Sequence, residues 1–401
     1  MAQAGARGVP AFLRSWFRAP SRLHLDDPSS RDGLVPSLNG LRATSVMLVL
    51  VTHTLGHAGL GNFGVLVFFV ISGFLITRLF LAERKRSGAI SLGGFYARRA
   101  IRLYPAILAY TLLVVVAYAT WAPARFDVAQ PACALLYCEN YLVTHREAFG
   151  PAITMPFAHF WSLSIEEHFY IVFPALLLLA LWLSRGRMKG VVWLGAAASV
   201  IPLLLRLLYV WLWPELLSPR FGHYIYSRTE TRFDAIAAGI LIAAACETAR
   251  GRAALRWLAT PFPAALALAT LVAWPFVNNP FFRETIGYTI LDAAAAVLLC
   301  ATVFTARYRP LNTLLNLRAV DWIGRLSYSI YVWHYGILDL SFRFLPANDR
   351  WQRFLVVALL TPLVASASYY GPEAWARQWR ARRPRLVLQT SGIEDGAPGR
   401  T

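Results

Sequence analysis

Charge is scarce in this sequence. Only 15% of its 401 residues are charged, and acids are the rarer kind, 21 against 39 Lys and Arg. So little charge excludes an ordinary soluble domain, whose surface needs more polar groups than this. Cysteine is nearly missing as well, and four in the whole chain exclude a disulfide-built secreted scaffold. Cys246 and Cys300 read as single buried or interfacial thiols, whereas Cys133 and Cys138, five apart, fit either a disulfide or two free thiols. The stretch 1–32 mixes arginines, aspartates and prolines without an apolar core and cleavage site, so no cleavable signal is expected. A repeat of fixed period and a low-complexity linker are also lacking, which argues against a solenoid and against a second domain.

What fills the chain is apolar: 57% of the residues are hydrophobic, and the mean hydropathy is +0.48. This composition predicts an all-α polytopic membrane protein. The net charge of +18 does not point to nucleic acid, because Arg and Lys stand in short clusters between apolar runs. Ten segments are long enough to cross the bilayer, at 40–58, 64–82, 104–121, 160–183, 191–213, 233–249, 261–278, 286–306, 322–342 and 353–376. With the amino terminus inside, the inner segments hold 26 Lys and Arg and the outer ones eight, so both termini are expected in the cytoplasm. The expected organisation is a cytoplasmic segment 1–36, a membrane domain 37–379 and a basic cytoplasmic tail 380–401.

Polar residues inside the spans are then the informative ones, since each is expensive in hydrocarbon. Arg42 lies near the inner end of the first span, and His53 roughly 16 Å further along, about 20° off the same helical stripe. They line one wall without touching. Glu166 and Glu167 fall about 10 Å below the outer face in the fourth span, and Arg232, Asp234, Tyr331 and His334 are expected at compatible depths. Asp292 is placed similarly. Such a set predicts a shared polar cavity, although Arg232 with Asp234 reads first as an ion pair that satisfies both groups. Adjacent on a helix, Glu166 and Glu167 point about 100° apart, so one of them at most faces that cavity. On the cytosolic side, Arg98, Arg99 and Arg102 form a cluster in which the last two share a helical face suited to a polyphosphate.

These motifs resemble, in order, those of the membrane-bound acyltransferase family 3, the integral-membrane O-acyltransferases of bacteria. The pieces are Ser37-Leu38-Asn39-Gly40-Leu41-Arg42 running to His53, Phe68-Phe69-Val70-Ile71-Ser72-Gly73-Phe74, Arg98-Arg99-Ala100-Ile101-Arg102, Phe160-Trp161-Ser162-Leu163-Ser164-Ile165-Glu166-Glu167, Arg232-Phe233-Asp234 and Leu326-Ser327-Tyr328-Ser329-Ile330-Tyr331-Val332-Trp333-His334. The resemblance implies a multi-pass protein of the bacterial cytoplasmic (inner) membrane that moves an acyl group, often acetyl, from acyl-CoA to a hydroxyl. Its commonest acceptors are sugars of surface glycans or lipid-linked saccharides, with secreted glycosides such as antibiotics as the alternative. Two positions depart from the family pattern: Asn39 stands where Asp is usual and His168 where Gln is usual. The fused carboxy-terminal SGNH-type domain of some members is not in this sequence, so the acceptor is expected to be met directly or through another protein.

In chemical terms, acyl transfer needs a base for the acceptor proton and a geometry that keeps both reactants out of water. His53 is the expected base, Glu166 its orienting carboxylate and Glu167 the alternate, while Arg99 and Arg102, aided by Arg98 and Arg42, are expected to grip the phosphates of acyl-CoA. Ser72 and Ser164 read as helix-packing hydroxyls. No bound cofactor and no metal are expected, because no His/Cys/Asp set has ligand spacing on one element. A transporter would also carry intramembrane His, Glu and Arg, but the sequence shows no matching broken helices in two halves.

Overall fold

A Gly–Gly crossing sets how closely the central helices approach. A Cβ on Gly73 would lie 2.0 Å from the Ile236 carbonyl oxygen, and one on Gly239 would lie 2.1 Å from that of Val70. Only residues without a side chain let two backbones meet there, as is common where helices pack in a bilayer. The computed structural model describes residues 35, 37–56, 58–121, 127–148, 155–221, 224–345 and 349–382. Most of the expected segment 1–36 and of the tail after 380 lies outside them.

Each of the ten predicted segments falls on a helix. We label these α1 (Leu38–Leu55), α2 (Ala58–Ser87), α3 (Leu92–Trp121), α4 (Trp161–Leu183), α5 (Met188–Leu212), α6 (Phe233–Cys246), α7 (Pro261–Ala273), α8 (Tyr288–Val303), α9 (Arg318–Phe344) and α10 (Arg350–Tyr370). Among the described residues, six helices are long and apolar enough to cross a membrane: Gly59–Ser87, Leu92–Trp121, Ala158–Leu183, Met188–Leu212, Pro280–Val303 and Arg350–Ala381. A seventh span is formed if Ala249–Leu258 and Pro261–Phe276, bent by 56° at their junction, count as one. The expected ten therefore exceeds what length and apolarity mark by α1, α6 and α9. Inside α1 and α9 lie Arg42 and His53, and Asp321, Arg325, His334, Asp339 and Arg343 respectively. Both pack against other helices, α1 between α2, α9 and α10. A helix shielded by protein needs no continuous apolar face, so its hydropathy drops below that of a lipid-facing span.

α1 is seated at both ends. It starts after Ser37, whose φ of 65° is left-handed and whose N–H donates to Asn316 Oδ1 at 2.9 Å. Gly56, at φ 84°, ends it by donating its N–H to the Thr52 carbonyl. Near its start, a Cβ on Gly324 of α9 would fall 1.9 Å from the Asn39 carbonyl oxygen. The unusual Asn39 thus sits at a helix crossing, where its Nδ2 donates to Asp321 Oδ1 at 2.9 Å.

Between α3 and α4 the chain folds back in short helices, and Cys133 and Cys138 are disulfide-bonded there. Glu139, in the helix Glu139–Leu142 that follows, is fully buried, and neither carboxylate oxygen has a hydrogen-bond partner among the described residues. Burial pushes its carboxyl up to about 8 from the ordinary 4.5. The folded chain then holds this proton while the unfolded chain has released it, so the stability present below pH 4.5 declines as pH rises towards 8. The slope is about 1.4 kcal/mol per pH unit. Glu139→Gln has no such slope, and its melting temperature in detergent is expected to gain on the parent steadily from pH 5 to 8. Parallel melting curves across that range would show that the carboxylate is satisfied.

Candidate functional site

A cavity of about 70 Å³ opens between α1, α2, α3, α4 and α9, lined by Arg42, Ser72, Arg99, Arg102, Glu166, Tyr170, Tyr328 and Tyr331 among others. Helical spacing explains the first wall. Arg99 and Arg102 are three apart on α3 and face the same way, so both reach the cavity. Arg99 lies over the Tyr170 ring, 3.9 Å from its centroid, a cation–π contact that leaves the guanidinium edges available. Arg98 points elsewhere: it is not part of the lining, and its Nη2 is 3.8 Å from Glu83 Oε2. The expected assistance of Arg98 at this site is therefore corrected.

Glu166 is the cavity member of the adjacent pair, and Glu167 is absent from the lining. Ser72 Oγ donates to Glu166 Oε1 at 2.8 Å, and Tyr170 OH lies 3.2 Å from Oε2. Ser72 is thus more than a packing hydroxyl. The carboxylate belongs with the arginines and not, as expected, beside His53 as its orienting group.

The hydrogen-bond partner of His53 is His334. His53 Nδ1 and His334 Nε2 are 2.9 Å apart, with the ring planes within 7° of parallel and the centroids 5.1 Å apart, so the two imidazoles meet edge to edge. His334 is fully buried, and its Nδ1 lies 2.6 Å from the Tyr331 carbonyl oxygen. A carbonyl only accepts, so His334 Nδ1 carries the hydrogen. In the neutral ring Nε2 is then a bare acceptor, and His53 Nδ1 must be the donor. The proton order leaves the lone pair of His53 on Nε2, which has no hydrogen-bond partner among the described residues, in a side chain that remains partly exposed.

A third histidine joins them, and sequence reasoning missed it. His159 sits in the turn Ala158–Phe160 just before α4, fully inside the protein, with Nε2 donating to the Val332 carbonyl at 3.1 Å. Its ring centroid is 5.1 Å from that of His334. The available signal was its place one residue before the Phe160-Trp161 motif. Tyr331 connects the histidines to the cavity it lines: its OH donates to the His159 carbonyl at 2.7 Å and accepts from Ser162 Oγ at 2.7 Å, while its own carbonyl holds His334.

Arg232 and Asp234 stand apart from this site and line no part of the cavity. Nor do they form the expected pair. Asp234 Oδ2 is 2.7 Å from Arg206 Nη2 and accepts from Thr289 Oγ1 at 3.1 Å, and Arg206 Nη1 donates to the Thr231 carbonyl at 2.6 Å. Arg232 instead lies over the Tyr288 ring, 4.1 Å from its centroid. Asp292 is buried on α8 and acts on Arg232 electrostatically, away from the cavity. This is a buried charge node that ties α5, α6 and α8, and removing either Arg206 or Asp234 would strand a charge. Arg206 escaped notice because α5 reads as uniformly apolar around it.

A family model described as an acyltransferase domain matches residues 35–370. The chain is 30% identical to the peptidoglycan O-acetyltransferase of Listeria monocytogenes, over 84% of its own length and 54% of that protein's. It is 28% identical to a provisionally named peptidoglycan O-acetyltransferase of Bacillus subtilis, over 84% and 54%, and to a provisionally named O-acetyltransferase of Staphylococcus aureus, over 76% and 51%. The chain thus spans about half the length of the curated relatives it matches. No solved structure matches it significantly.

Proposed function

The chain belongs to the acyltransferase family whose model covers residues 35–370, and from that premise we propose that it moves an acetyl group from acetyl-CoA to a carbohydrate hydroxyl. The observation that carries this reading is the proton order of the histidines, which presents the lone pair of His53 Nε2. As the acceptor hydroxyl gives its proton to Nε2, its oxygen attacks the thioester carbonyl and the C–S bond breaks. The leaving thiolate then takes the proton from His53, which restores the base. His334 positions the imidazole and, by accepting from Nδ1–H, supports the charge that develops on it.

The arginine wall suits the donor. Arg42, Arg99 and Arg102 present cations to the phosphates of acyl-CoA, and the roughly 16 Å from Arg42 to His53 is a distance that an extended thioester arm spans. Glu166, held by Ser72 and Tyr170, fixes the arginines by charge. The inside-positive count supports a wall that faces the cytoplasm and a His53 nearer the outer face. The names of the relatives support a cell-wall glycan as acceptor.

The test is transfer of label from acetyl-CoA to a soluble peptidoglycan fragment by the purified chain in detergent, and absence of both acetyl-CoA binding and turnover would end the reading. Arg99→Gln and Arg102→Gln are each expected to raise the KM for acetyl-CoA about tenfold to hundredfold, the worth of a hydrogen bond to a charged group. Arg98→Gln, already turned to Glu83, should move it much less. Equal effects of all three would reduce the cluster to a membrane anchor.

A further inference from the structure

Six hydroxyls line the cavity beside the arginines, those of Ser72, Ser162, Tyr170, Ser327, Tyr328 and Tyr331. Five of them are engaged. Ser72 and Tyr170 turn to Glu166, Ser162 and Tyr331 bond each other, and Tyr328 OH donates to the Leu103 carbonyl at 2.7 Å. Ser327 is the exception: it is fully buried, and its Oγ has no hydrogen-bond partner among the described residues. A serine inside a helix can bond the carbonyl one turn back, as Ser164 does with Phe160 and Ser366 with Pro362. Ser327 forgoes that bond, and a buried polar group left so calls for a partner from outside the chain.

Its place on α9 says which partner. Ser327, Tyr331 and His334 fall on one stripe of that helix, with Ser327 two turns, roughly 10 Å, before His334. Tyr328, beside it, reaches the backbone of Leu103, the residue after Arg102. Ser327 therefore stands between the arginine wall and the histidines. Across the cavity α2 presents Val65, Phe68, Phe69 and Leu75. An apolar wall facing a single unused donor suits neither a phosphate nor a sugar, each of which needs several polar contacts, but it suits a chain of methylenes interrupted by an amide carbonyl. We propose that Ser327 is a positioning residue for the donor, its Oγ–H donating to an amide carbonyl of the pantetheine arm and so setting how far the thioester reaches towards His53; the proposal rests on acetyl-CoA as the donor. The cavity then selects pantetheine thioesters over acyl donors without amides. Ser327 is not placed as an acyl-carrying nucleophile, because no base among the described residues lies within hydrogen-bond reach of its Oγ.

Calorimetric binding to the full chain in detergent tests this with CoA and with an analogue in which the same nucleotide carries an alkyl thiol arm of equal length and no amides. Ser327→Ala is expected to lose about threefold to tenfold in affinity for CoA, the worth of one neutral hydrogen bond, and nothing for the analogue. Ser327→Thr, which keeps the hydroxyl, should retain the parent's preference for CoA. The melting temperature sets this apart from a packing role: removing a buried hydroxyl that has no partner should leave Ser327→Ala at least as stable as the parent. Equal losses for the two ligands, or no loss for CoA, overturns the proposal whatever the melting temperature. The two readings fail separately: a parent chain that binds no CoA sinks the donor and Ser327 together, whereas CoA binding indifferent to Ser327→Ala sinks the Ser327 assignment alone.

Discussion

His53→Ala is expected to cut acetyl transfer by about 10²–10⁴-fold, the range that a positioned general base contributes. The loss should fall on kcat, because the arginine wall that would hold the donor is roughly 16 Å away along α1 and is untouched by the change. Folding is not the expected cause, as His53 is partly exposed and the substitution leaves α1 seated at Ser37 and Gly56. Single-turnover transfer together with acetyl-CoA binding separates the two effects. Activity unchanged in His53→Ala would remove the base from the mechanism.

His334→Phe is the second large effect. Phenylalanine keeps an aromatic ring against His53, where the centroids now stand 5.1 Å apart, but it deletes the acceptor that holds hydrogen on Nδ1. His53 is then free to carry its proton on Nε2, where it cannot act as a base. A fall in kcat of about tenfold or more is expected, on the scale of a hydrogen bond that orders a charged intermediate, with KM for acetyl-CoA almost unchanged. The pH profile should shift as well, because a buried partner no longer supports the imidazolium. His334→Gln, which restores an acceptor oxygen, should recover part of the loss. A purely structural histidine would respond differently: both variants would lower the melting temperature and leave the pH profile of the surviving enzyme in place.

Three arginines and a histidine were legible because helical spacing is geometry. Arg99 and Arg102, three apart, had to share a face. Arg42 and His53, eleven apart, had to share a stripe. The same rule shows why Glu166 and Glu167 divide, one at the cavity and one away from it. It did not extend to partners. Arg98, four before Arg102, obeys the spacing rule as well as Arg99 does and yet finds Glu83, and Asp234 finds Arg206 on α5 instead of its neighbour Arg232.

The ten expected spans and the six helices marked by length and apolarity part at α1, α6 and α9. α1 and α9 hold His53 and His334, and they are the long helices too polar to be marked as lipid-crossing. Packing of α1 against α2, α9 and α10, and of α9 against α1, α3 and α10, lets them hold such groups, and it also weakens the apolar signal by which a span is read.

By itself, then, the sequence determined that the chain is a helical multi-pass membrane protein, which family it belongs to, and which side chains repeat along a single helix. These follow from composition and from a fixed rotation per residue. Only the tertiary structure decided that His53 meets a histidine 281 positions away, that Glu166 lines the cavity with the arginines, and that His159 lies beside His334. The physical reason is that a helix fixes where a residue sits on its own surface, whereas which surfaces meet depends on glycine crossings and buried polar pairs summed over the whole bundle.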